Sequence, residues 1–162
     1  VKLHAAIEME WRAIVSFHFT RTYVHEVNHL ESLLEPLWGI RNVLADSGYL
    51  SRENCRAIYS KGGTPYIRPK KNTTGKDIHG KRHVYWDPFT EMIEQYQKNP
   101  KKWMKIYHQR SNIEAVFSAL KRKLGGYVTS IKRGIQYVEI ALKIIVYNLM
   151  ILARKIVEEE YF

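Results

Sequence analysis

Tyr107, Arg110, Glu114 and Lys121 set one carboxylate between two cations, with a phenol one turn upstream, in a chain of 162 residues. On an ideal α-helix, at roughly 100° per residue, these four positions fall within about 60° of one another. A carboxylate is a hard oxygen donor for a divalent ion, and an arginine and a lysine beside it can grip phosphate oxygens. The set therefore suits phosphodiester chemistry. The plainer alternative is a solvated helix face held by ion pairs between successive turns. Asp46 is a second candidate. It follows the short apolar run from Arg41 to Ala45 and precedes Ser47 and Gly48. The carboxyl end of a strand is where α/β folds present side chains to ligands, although an Asp before a glycine is also a common turn residue.

Two other groups invite a chemical reading. His25-Glu26-Val27-Asn28-His29 fits H-E-x-x-H, which on an α-helix puts two histidines on one face for zinc and offers the glutamate as a base. Here His25 falls in the first turn of its helix, and no third ligand stands out downstream. Residues 69–84 carry Lys70, Lys71, Lys76, Lys81 and Arg82 among Asn, Gly and Thr, with Tyr66 and Tyr85 nearby. This basic loop is suited to tracking a nucleic-acid backbone, and equally to lying solvated. His79 and His83 within it read as exposed polar residues.

The elements that must position these groups follow from patterning. Residues 1–7 and 13–19 are apolar, β-branched and aromatic, and 8–12 would connect them as an antiparallel pair. Val27, Leu30, Leu33 and Leu34 predict a helix that stops at Pro36. Residues 41–45 and 64–68 predict short strands, with Ser51 capping a helix over 52–61 between them that Gly62 and Gly63 end. Asp87-Pro88 and Asn99-Pro100 predict two helix starts. The second helix is expected to run through Glu114 to about Leu124, where Gly125 and Gly126 break it. A last helix covers about 134–157, in which Glu139 and Lys143 would pair and Asn148 would satisfy backbone groups between helices. Strands with interspersed and then consecutive helices make an α/β domain.

Composition narrows the partner. Lysine and arginine outnumber the acids to give a formal charge of +10, which implies a polyanion, with nucleic acid ahead of an anionic membrane surface. Cys55 is the sole cysteine, so neither an intramolecular disulfide nor a cysteine zinc cluster can form, and a reducing cytoplasm fits. No signal peptide is visible, and the most apolar window, 144–153, is too short to span a bilayer.

The spacing Y-x2-R-x3-E-x6-K, read here as Tyr107, Arg110, Glu114 and Lys121, resembles the signature around the last acidic residue of DDE transposases of bacterial and archaeal insertion sequences. The likeness extends along the chain. Lys2-Leu-His-Ala-Ala-Ile7 resembles the strand after that family's first catalytic aspartate, and Val43 to Tyr49 the segment bearing the second, here Asp46. Residues 63–72 resemble the strand and basic loop that follow, and Glu139 to Leu149 the closing helix.

That resemblance implies a ribonuclease H-like α/β fold with a helical C-terminal portion. It also implies that residues 1–162 form the C-terminal part of a transposase catalytic domain. The central strand, which carries the first aspartate in such folds, has no counterpart: the only aspartates are Asp46, Asp77 and Asp87. Strands flanking a missing strand would have unpaired edges. By resemblance, Asp46 and Glu114 are catalytic ligands for Mg2+ or Mn2+, while Tyr107, Arg110, Lys121, Lys70, Lys71, Lys76, Lys81 and Arg82 contact DNA. The implied activity is cleavage and strand transfer at insertion-sequence ends by a homo-oligomer, with this chain inactive alone for want of the first aspartate. A non-catalytic DNA-binding remnant, a related nuclease and a zinc peptidase are the alternatives.

Overall fold

A computed structural model describes residues 1–21, 25–76 and 85–161. The chain divides into two units, residues 1–22 with 111–162 and residues 23–110. The expected α/β class is observed. In the first unit β1 (Lys2–Ile7) and β2 (Ile14–Thr20) form an antiparallel hairpin, with Lys2 opposite Thr20 and a register shift between Ala6 and Ile7. α5 (Asn112–Leu124) and α6 (Arg133–Tyr161) complete it.

The core of this unit joins Ile14 to Val116, Leu120, Ile144 and Tyr147, which are spaced to put one stripe of each helix inward. Asn148 has a more specific task than the sequence implies. Its side-chain oxygen accepts from the N–H of Ile14 at 3.0 Å, and its amide donates to the Ile14 carbonyl at 2.8 Å. It therefore satisfies a strand rather than a second helix, at the first residue of β2.

α6 is anchored near its start by Glu139. This carboxylate accepts from the N–H groups of Thr129 and Ser130, each at 3.1 Å, from Ser130 Oγ at 2.8 Å, and pairs with Lys143 at 3.3 Å. Gly125 ends α5 at φ +84, a positive value that glycine adopts without a Cβ clash.

The second unit contains α1 (Leu30–Leu34), β3 (Asn42–Ala45), α2 (Arg52–Ser60), β4 (Thr64–Ile67), α3 (Pro88–Lys98) and α4 (Pro100–Tyr107). β3 and β4 are parallel, with Ala45 opposite Ile67. Parallel neighbours need a crossover, and α2 supplies it, burying Cys55 and Ile58 completely against Ile67, Met92 and Ile93. The three expected caps are present: Ser51 accepts from Asn54 N–H, Asp87 from Thr90 N–H and Asn99 from Lys102 N–H. Asp87 also pairs with Arg52 and Arg56, and Arg52 donates to the carbonyls of Gly75 and Lys76 at 3.2 and 3.1 Å.

One expected helix changes. The helix predicted from Asn99 to Leu124 is broken: α4 ends at Tyr107, His108–Ser111 is a 3-10 turn, and α5 starts at Asn112. A 3-10 turn advances about 120° per residue, against about 100° in an α-helix. The four positions from Tyr107 to Lys121 therefore do not share one α-helical face. Among the described residues each sheet has only two strands.

The Glu139 contacts hold its carboxyl down at about 2, through the Ser130 hydroxyl first and the Thr129 N–H next. A depressed folded-state value means that the stabilisation is complete above the ordinary carboxylate value and fades as pH falls towards about 2. Glu139→Gln should lower the melting temperature at neutral pH. The gap from the parent chain should close only below the ordinary glutamate range, in a pH series of thermal melts. A gap that does not change with pH would contradict the anchoring role.

Candidate active site

Because β3 and β4 are parallel, both strands leave the sheet at the same end. Ala45 faces Ile67 in the ladder, so Asp46 and Arg68 are the next residues off that edge. The basic loop begins there, with Lys70 and Lys71 exposed. Asp46 caps the 3-10 turn Ser47–Tyr49: its Oδ1 accepts from Ser47 N–H at 2.6 Å. Its side chain is 56% exposed, and Oδ2 lies 3.8 Å from Arg110 Nη1. One oxygen is thus oriented by the backbone, while the other faces a cation and solvent.

Arg110 leans on Tyr107, with its guanidinium carbon 5.9 Å from the ring centroid. Tyr107 is 5% exposed and stacks on Trp103 at 5.2 Å, and Trp103 also meets Tyr66 and Tyr96. Burial raises the Tyr107 phenol above its usual range, and the Asp46 carboxylate adds to that. The guanidiniums of Arg110 and Arg68 pull the other way. Tyr49, beyond Asp46, is pushed up to about 12 by burial and then by the carboxylates of Glu26 and Asp46. A carboxylate, two arginines and a buried aromatic wall therefore meet at one end of the β3–β4 pair.

The structure brings together some of the sequence candidates. Asp46, Tyr107 and Arg110 belong to the second unit and are linked by the contacts above. Glu114 and Lys121 belong to the first unit, exposed in the first and last turns of α5. Seven residues is about two turns, so both lie on one side of that helix. Lys70, Lys71 and Lys76 are exposed, with the Lys76 carbonyl held by Arg52. Lys81, Arg82, His79 and His83 lie outside the described residues.

Tyr107 is buried, at 5% exposure. The H-E-x-x-H stretch differs from expectation. Glu26–His29 is a 3-10 turn, and His25 precedes it in extended conformation, so the two histidines do not share an α-helical face. Among the described residues no group of three or more His, Cys, Asp or Glu side chains is arranged to hold a metal ion.

Sequence reasoning missed Arg68, whose place depends on the strand register. It also missed the arginines on Asp87, which are 35 and 31 residues away along the chain. Only the Asp-Pro cap gave a local signal. Among the described residues no helix is long and apolar enough to cross a membrane.

Residues 1–149 match the transposase DDE domain family. No curated protein and no solved structure matches the chain.

The packing of Tyr107 sets a separate expectation for stability. Tyr107→Ala should cost about 3–4 kcal/mol in denaturant unfolding, the usual cost of emptying a buried aromatic site. Tyr107→Phe should cost about 1 kcal/mol or less, because only the hydroxyl is lost. Equal costs for the two would show that ring packing is not its main role.

Proposed function

Since the chain belongs to the transposase DDE domain family, we propose that the carboxyl edge of β3–β4 is its phosphodiester-facing end in DNA transposition. The reading is carried by the Asp46–Arg110 pair beside the start of the basic loop. In this reading Asp46 and Glu114 are the oxygen ligands of a divalent ion. The fit rests on donor chemistry: both are exposed carboxylates, and Ser47 N–H fixes one Asp46 oxygen while the other stays accessible. DDE transposase domains generally use divalent metal ions. Bound Mg2+ or Mn2+ supplies Lewis-acid stabilisation of charge on phosphodiester oxygens.

The chain's own side chains do the remaining work. Arg110, steadied against the Tyr107 ring, offers a planar fork of donors to a phosphate and balances Asp46 when no substrate is bound. Lys121 contributes a second phosphate contact from α5. Arg68, Lys70, Lys71 and Lys76 follow the DNA backbone beside Asp46, and Lys81 and Arg82 add further phosphate contacts. Working copies act as a homo-oligomer on insertion-sequence ends and a target. The 162 residues contain no aspartate before Asp46. We therefore expect them to bind DNA without cleaving it unless a third carboxylate is supplied.

Fluorescence anisotropy on a duplex tests this reading. Affinity should fall steeply with salt, because each neutralised phosphate releases counterions. Replacing Lys70, Lys71 and Lys76 together by Glu should weaken binding by at least about tenfold and reduce the salt slope by about 3. Affinity that neither salt nor the triple variant changes would overturn the assignment of the loop.

A further inference from the structure

α6 carries two apolar faces, and its own unit uses only one. Ile140, Ile144, Tyr147 and Ile151 turn inward, with Ile144 and Tyr147 buried beside Ile14, Val116 and Leu120. The other face runs Ile135, Val138, Leu142, Ile145, Leu149, Leu152 and Ile156, each between 44% and 57% exposed. The steps between them alternate three and four residues along the whole series. This is the a/d spacing of a heptad, sustained over about 31 Å of helix at a rise of 1.5 Å per residue. No charged residue occupies any of the seven positions. A surface helix that is apolar on both sides calls for a second partner.

We propose that this seam pairs with the same seam on a second copy of the chain, forming a two-stranded coiled coil of α6 with α6. A strict heptad is self-complementary, since knobs at a and d need holes made by another such row. The size also fits. The seven seam residues with the exposed flanking Val146, Met150 and Val157 offer on the order of 800 Å² of apolar surface, about the share per partner of a standard stable interface.

The charges at the edge agree with a parallel pair. Lys155 and Glu160 occupy g and e positions five residues apart, so a parallel register sets each Lys155 against the second copy's Glu160 twice by symmetry. Because the opposite face of α6 packs in its own unit, the helix has one seam free to offer, which favours a pair over a larger bundle. The inference does not depend on the metal or DNA reading of Asp46 and Glu114.

Sedimentation equilibrium of the full chain, without DNA or metal, should give a mass about twice that of one chain. Leu142→Glu combined with Leu149→Glu should weaken that association at least about tenfold while circular dichroism is unchanged, because both side chains lie outside the core. Leu149→Cys should form an interchain disulfide under mild oxidation, and Arg154→Cys, off the seam, should not. Cys55 is fully buried with its thiol pushed up to about 12 by burial, so it should stay out of the reaction. A chain that stays monomeric, or a dimer that the double variant leaves intact and Leu149→Cys does not cross-link, would overturn the proposal. In those cases the face would be covered by some other partner or segment.

Discussion

The parallel pairing of β3 with β4 is the constraint on which the second unit depends. Parallel neighbours cannot be joined by a hairpin, so the chain must cross over through α2, and that helix must be apolar toward the strands. Cys55 and Ile58, both at 0% exposure, meet this requirement. The same geometry sends both strands out at one edge. Asp46 and the first residues of the basic loop are placed together by topology rather than by proximity in sequence. α4 then closes over the core with Trp103 and Tyr107, which puts Arg110 within ion-pair range of Asp46.

That pair is loose by design of its surroundings. At 3.8 Å and with Asp46 more than half exposed, the attraction between the two side chains is screened by water and contributes little to stability. A tighter, buried pair would resist exchange for another cation. The Asp87 cluster shows the contrast: its carboxylate is almost wholly buried under two arginines and caps α3, an arrangement suited to holding structure. Charge alone does not separate these roles, and burial does.

Local chemistry was legible in the sequence. Ser51, Asp87 and Asn99 announce their helices because a cap and its target N–H lie three residues apart. The hairpin of β1 and β2 and the break at Gly125 are local in the same sense. Features that depend on distant partners were not legible. Arg68 leaves the same strand edge as Asp46 only once the register is known, and Asn148 finds Ile14 across 134 residues. The 3-10 turn at His108–Ser111 was hidden for another reason, since neither proline nor glycine marks it in the sequence. The motif from Tyr107 to Lys121 is divided between the two units. The second apolar face of α6 was present in the sequence as a heptad, but only the exposure of each residue separates it from the buried stripe.

The central proposal is that Asp46 and Glu114 are ligands of one divalent ion. Paramagnetic broadening of backbone amide signals by Mn2+, on the chain bound to a DNA duplex, tests it most directly. We expect Ser47 and Gly48 to broaden together with Ile113 to Ala115, and Asp46→Asn to abolish both effects. Broadening confined to residues around His25 and His29, or at only one of the two carboxylates, would contradict it.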